Sequence, residues 1–150
     1  RWPETIAIGA VDRHGRLAPF SSRGPEVDLC APGEDVLSTY LRGGYAKLSG
    51  TSMATPFVSG VVALMLAKHR RQGGATPIDE HDQIVEHLLR TATDAGPRGK
   101  DPHYGYGLIH PAGALARLEP EPAACELRIG PVSVNGVPGD LVFVPTQTAE

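Results

Sequence analysis

The sequence has little of what several classes of protein depend on. Two cysteines among 150 residues are too few for a disulfide framework, and no Cys-x-x-Cys pair suggests a zinc site. The formal net charge is −3 and no long basic run occurs, which argues against nucleic acid as a partner. The longest apolar stretch, residues 57–67, is too short to cross a membrane. We therefore expect one domain with its own core and no membrane segment.

A secretory signal peptide is also missing from this sequence. The first residue is Arg1 rather than Met, so we expect a fragment or a processed product, and the missing signal carries little weight. Of the two cysteines, Cys30 lies in an apolar run and is expected to be buried as a small hydrophobic residue. Cys125 lies in a proline-rich region, and a bridge to Cys30 is the less favoured alternative.

The most informative segment is residues 49–60, SGTSMATPFVSG, which places Ser52 between small residues directly before a long apolar stretch. A helix that begins here points unpaired backbone N–H groups, and the positive end of its dipole, toward the serine. Both favour negative charge that develops during a reaction. Serine is a weak nucleophile without a neighbouring base. The segment predicts a nucleophile, and its activity depends on whether the base is present.

Hydrophobic patterning predicts an α/β arrangement around this segment. The expected elements are strands at 5–11 and 27–31, a hairpin with arms 36–41 and 45–48, a helix after Ser52, a second helix that begins at Thr76–Pro77, and a short helix over 111–118. The helix after Ser52 is apolar almost all round, which predicts burial on every side. Ser59, Gly60 and Ala63 would let a neighbour approach it closely.

Composition changes after Leu118. The run Glu119-Pro120-Glu121-Pro122 is typical of a linker. Beyond it, residues 127–134 and 141–144 flank turn residues and suggest either a β-hairpin or a frayed tail. The predicted organisation is a main domain over 1–118, followed by a Pro-rich linker and the start of a β-rich extension over 119–150.

Five segments together resemble the subtilisin-like serine proteases (subtilases, peptidase family S8). Around SGTSMATPFVSG stand, in order, IAIGAVD, FSSRGP, VDLCAPG and, near the end, YGYGLIHPAGAL. The resemblance covers roughly residues 2–118. It implies the C-terminal part of a three-layer α/β catalytic domain, with a mostly parallel sheet and a buried helix after the nucleophile serine. It also implies a secreted endopeptidase that hydrolyses polypeptides through an acyl-enzyme.

The resemblance assigns roles to residues around the serine. Ser52 would be the acylating nucleophile, and its own backbone N–H would be one donor to the oxyanion. The residues that would support this site or line its cleft are Thr51, Ser49, Met53, Leu48 and Phe20. The chemistry requires no cofactor. Structural calcium is an option, for which Asp28 with backbone oxygens near Trp2 and Thr5 is a weak candidate beside the simpler reading of Asp28 as solvated.

The base and its orienting carboxylate belong before the serine in this family. Upstream of Ser52 the chain has one histidine, His14, and none of its aspartates stands in an Asp-Ser/Thr-Gly motif. The family's oxyanion asparagine also belongs upstream, whereas the one asparagine here is Asn135. We therefore expect the chain alone to be inactive, and to need the N-terminal part of its own catalytic domain.

Two other readings remain open. A degenerate relative that never had the missing residues would serve as a non-catalytic binding module. An α/β-hydrolase esterase is the third reading, but its nucleophile elbow needs glycine two residues after the serine, where this chain has Ala54.

Overall fold

The computed structural model describes residues 4–73, 78, 80–116, 118, 133–134 and 137–138. The chain divides into two compact units, residues 1–119 and 120–150. In the second unit, β5 (Ser133–Val134) pairs antiparallel with β6 (Val137–Pro138). The predicted linker, Cys125 and most of the predicted hairpin arms lie outside the described residues, so the assignment of 119–150 stays a prediction.

Among its described residues, the first unit contains a parallel strand pair, a hairpin with a 3-10 turn at Leu41–Gly43, and three α-helices. Its strands are β1 (Ile8–Val11), β2 (Leu29–Pro32), β3 (Val36–Thr39) and β4 (Tyr45–Leu48), and its helices are α1 (Thr51–Arg71), α2 (His81–Thr91) and α3 (Pro111–Ala116). β1 and β2 are parallel, with Ile8 opposite Leu29. β3 and β4 are antiparallel, with Val36 opposite Leu48. The predicted α/β class with a parallel sheet is confirmed.

The parallel pair is buried because its residues are apolar and small on both faces. Ala10, Leu29, Cys30 and Ala31 have no exposed surface. Continuous apolar runs of this kind are typical of parallel strands covered on both sides. Both strands form close to where the sequence predicted them. β1 begins three residues later than expected, and β2 begins two residues later and extends to Pro32.

One side of α1 forms the centre of the core. Its buried residues are Ala54, Val58, Val61, Met65 and His69, and the helix packs against β1, β2 and α3. By length and mean hydropathy alone, 1.3, α1 would also suit a membrane span. Its contacts with two strands and a second helix are those of a core helix in a folded domain.

The other side of α1 is exposed, so the prediction of burial all round was wrong for this chain. Phe57 is 44% exposed and Leu64 is 55% exposed. A side chain added at Gly60 would meet no atom within 4 Å. Composition predicted how apolar the helix is, but the described residues cover Phe57 and Leu64 only in part.

α2 and α3 are joined by a buried polar contact, and α3 is joined to α1 by a partly buried one. The N–H of Glu80 donates to Gln83 Oε1 at 3.1 Å, which caps α2; the predicted start at Thr76–Pro77 lies outside the described residues. Nε2 of the buried His87 lies 2.8 Å from the Ala114 carbonyl oxygen. Lys68 donates to the Leu115 carbonyl at 2.8 Å.

Replacing Met65 with alanine tests how much the buried side of α1 contributes to stability. Met65 has no exposed surface, so truncation removes buried area and leaves a cavity, and we expect a loss of about 2–5 kcal/mol. Leu64→Ala is the matched control, because Leu64 is adjacent to Met65 in the sequence but is 55% exposed. We expect that variant to lose less than about 1 kcal/mol of stability. Urea unfolding measures both. Equal losses would contradict the assignment of the two sides.

Candidate active site

Ser52 lies in the first turn of α1 with its side chain exposed to solvent. The helix begins after Gly50, whose carbonyl accepts the N–H groups of Met53 at 3.0 Å and Ala54 at 3.3 Å. Among the described residues, the Ser52 N–H donates no hydrogen bond. The arrangement therefore presents a hydroxyl and an available backbone donor side by side at the positive end of a helix of 21 residues.

Gly33 holds this helix end against the sheet. Its carbonyl accepts the Gly50 N–H at 2.8 Å, and its own N–H donates to the Val11 carbonyl at 2.9 Å. A Cβ on Gly33 would lie only 2.7 Å from both Ala10 Cβ and the Gly50 oxygen. In the sequence, Gly33 stands out only as the last residue of the segment VDLCAPG. Its packing role was missed because the residues close to Gly33 come from an earlier and a later segment of the chain.

Ser49 also has a structural partner. Its Oγ accepts the Asp35 N–H at 2.9 Å, and Asp35 has a positive φ of 51°. Ser49 thus links the end of β4 to the tight turn before β3. Thr51, half-buried, accepts the Thr55 hydroxyl through its carbonyl at 3.0 Å. The roles predicted for Ser49 and Thr51 toward a bound substrate stay predictions.

A cavity of about 320 Å³ opens beside the serine. Its lining residues are Val36, Leu37, Ser38, Ser52, Met53, Pro56 and Phe57. Met53 therefore lines the same cavity as Ser52. Leu48 and Phe20 are 40% and 46% exposed and do not line this cavity. Leu37 and Phe57 were not predicted as cavity residues, because nothing in the sequence distinguishes them from apolar residues of a core.

None of the six histidines is hydrogen-bonded to Ser52, and all six belong to the described residues. His14 lies in an exposed turn and contacts the Arg13 guanidinium at 3.0 Å. His87 is engaged by α3, as described above, and His69 is buried near the far end of α1. Within the part of the chain that the structure describes, Ser52 has no general base.

The calcium hypothesis can be tested against the surroundings of Asp28. Its Oδ2 accepts the Ala7 N–H at 2.8 Å, and its Oδ1 lies 3.9 Å from Lys100 Nζ. In the described ranges no group of three or more His, Cys, Asp or Glu side chains could hold a metal. Calcium takes about six to eight oxygen ligands. A carboxylate that already faces an ammonium fits that requirement poorly.

Cys30 is a free thiol with no exposed surface. Burial, together with the nearby Asp101 carboxylate, raises the pKa of the Cys30 thiol from 9.0 to about 11. Because the thiolate is the reactive form, Cys30 is suited to packing and unsuited to nucleophilic chemistry. The prediction of a buried small hydrophobic residue is confirmed for Cys30.

We expect a disulfide reagent at pH 8 to leave Cys30 unmodified in the folded protein and to modify it fully in urea. A Cys125→Ser variant isolates the one thiol. The unfolded thiol releases its proton near pH 9.0 and the folded one near pH 11, so stability should fall as the pH rises through that interval. Rapid modification of the native protein at pH 8 would contradict the assignment.

Comparisons with known proteins agree with this geometry. Residues 1–107 match the model of the subtilase family. Over 110 residues the chain is 42% identical to a thermostable alkaline protease of Halalkalibacterium halodurans, covering 73% of this chain and 28% of that protein. It is 43% identical to subtilisin E of Bacillus subtilis, again over 73% of this chain, and covers 26% of the relative. The chain thus spans about a quarter of the length of these curated relatives.

A solved structure agrees as well. The self-cleaved protease domain of PatA superposes with a TM-score of 0.67 at 37% identity. The match covers 77% of this chain and 42% of that domain.

Proposed function

The chain belongs to the subtilase family, and from that membership we propose that it is the serine-bearing part of a subtilisin-like endopeptidase. The observation that carries the proposal is the exposed Ser52 at the start of α1, with an available backbone N–H and an adjoining cavity. A nucleophile needs to be fixed on a rigid element. Here α1 is anchored through the contacts of Gly33 and through its buried side.

In the proposed reaction, Ser52 Oγ attacks the carbonyl carbon of a peptide bond in a polypeptide substrate. Its proton passes to a histidine, which then gives a proton to the leaving amine as the C–N bond breaks. The Ser52 N–H donates to the oxygen that becomes negative. Water hydrolyses the resulting acyl-enzyme and releases the acid. No cofactor takes part.

We propose that residues 1–150 alone are inactive. The histidine is not supplied by any of the six described here, and the carboxylate and asparagine of the family lack matching motifs in this sequence. In a protein as long as the relatives, the portion preceding this chain would supply them. The exposed side of α1, and a groove of about 320 Å³ between β1 and α1, support packing of that portion. This groove is lined by Ile6, Ile8, Thr55, Val58, Ser59 and Val62.

The test treats the longest natural form with a fluorophosphonate probe and maps the adduct by mass spectrometry. We expect one adduct, on Ser52, in that form and none in residues 1–150 alone. A long form that folds, retains the upstream motifs and carries no adduct on Ser52 would contradict the proposed nucleophile. A natural form that lacks those motifs would favour a non-catalytic binding module.

We also propose that the protein acts outside the cell. This location rests on the resemblance to subtilisins. Fractionation of cells that express the full gene checks it, and retention of all the protein in the cytoplasm would contradict it.

A further inference from the structure

The carboxylate of Asp28 is buried and takes no part in the chemistry proposed for Ser52. Asp28 lies directly before β2 and is 2% exposed. The same residue joins two parts of the fold through its backbone, because its carbonyl accepts the Tyr106 N–H at 2.8 Å and its N–H donates to the Ala7 carbonyl at 2.9 Å. Ionised carboxylates are very seldom fully buried unless they are paired with an opposite charge. We therefore expect a cation close to the Asp28 carboxylate.

Lys100 brings a cation to this carboxylate from the loop that follows α2. Its Nζ lies 3.9 Å from Asp28 Oδ1 and 5.3 Å from the centre of the Tyr106 ring. An ammonium within about 6 Å of an aromatic ring is attracted to its face. The Lys100 side chain is 34% exposed, so it reaches the buried carboxylate from the surface of the protein. Carboxylate and ring together define a position for one positive charge.

We infer that the Lys100 ammonium is the resident cation of Asp28 and occupies the place that calcium would need there. Calcium bonds to carboxylate oxygens at about 2.3–2.6 Å, so an ion on Oδ1 would sit close to the ammonium and be repelled by it. The other oxygen is engaged by the Ala7 N–H at 2.8 Å. The stability of the protein should then depend on Lys100, and calcium should not stabilise it through Asp28.

The test compares melting temperatures of the full-length protein in EDTA and in calcium chloride. The variants are Asp28→Asn, Lys100→Met, the double variant, and Arg98→Met as a matched control. Asparagine retains an acceptor for the Ala7 N–H while it removes the charge. Arg98 is an exposed cation in the same loop. Calcium bound elsewhere in the protein raises all melting temperatures alike and so does not affect the comparison.

Lys100→Met should lower the melting temperature by about 2–4 °C, whereas Arg98→Met should change it by less than about 1 °C. In the Asp28→Asn background the effect of Lys100→Met should fall to less than about half, because only the contact with the Tyr106 ring remains, whereas a merely local packing effect would be the same in both backgrounds. Wild type and Asp28→Asn should respond equally to calcium. An effect of Lys100→Met that is equal in both backgrounds, or a calcium response that Asp28→Asn removes, would overturn the inference.

Discussion

Replacing Ser52 with alanine should abolish peptide hydrolysis and fluorophosphonate labelling by the longest natural form. The variant lacks the oxygen that forms the acyl bond, so no residual covalent route remains. We expect turnover to fall about 10⁶-fold, a magnitude that comes from subtilisin itself rather than from this structure. Substrate affinity should change little, because the exposed hydroxyl has no hydrogen-bond partner among the described residues. Steady-state kinetics on a peptide substrate, with KM and kcat measured separately, checks this.

Ser22→Ala is the matched control for this experiment. Ser22 is also an exposed serine, but it lies in the loop after Phe20 and outside the cavity beside Ser52. Its removal should leave turnover within about twofold, since surface substitutions usually have small effects. Thermal unfolding of both variants should match that of the wild type. Undiminished hydrolysis by a folded Ser52→Ala protein would refute the assignment of the nucleophile.

Replacing Gly105 with alanine should have a large effect on stability. Gly105 has φ of +64°, and a Cβ there would lie 2.4 Å from the carbonyl carbon and oxygen of Asp28. Those atoms are backbone and cannot rotate away, so β2 or the loop must move. The left-handed conformation costs about 1–2 kcal/mol and the overlap adds to it, for an expected loss above about 3 kcal/mol. Equilibrium denaturation measures the loss.

Gly99→Ala separates the two contributions. Gly99 has a similar φ of +80°, but a Cβ there would meet no atom within 4 Å. Its loss should be limited to the conformational cost of about 1–2 kcal/mol. An equal loss of unfolding free energy in both variants would contradict the close contact between Gly105 and the Asp28 backbone.

The sequence predicted those features that depend on neighbouring residues. β1, β2 and the hairpin follow from local apolar runs and turn residues, and Ser52 at a helix start follows from its own segment. Burial around α1 was only half right, because an apolar helix does not reveal which segment covers each side. Gly33 and Lys100 were missed for the same reason. Their partners lie in distant segments, and the pairing exists only after folding brings those segments together.

The exposed side of α1 affects solubility and packing in opposite ways. Phe57 and Leu64 are large apolar residues of the kind found in a core, yet they are 44% and 55% exposed to solvent. Contiguous apolar patches of this kind promote self-association in concentrated solution. Polar substitutions there should make residues 1–150 more soluble in expression trials. In a full-length enzyme that packs against this side, the same substitutions would weaken the catalytic domain, so selection for solubility alone would yield variants unfit for catalysis.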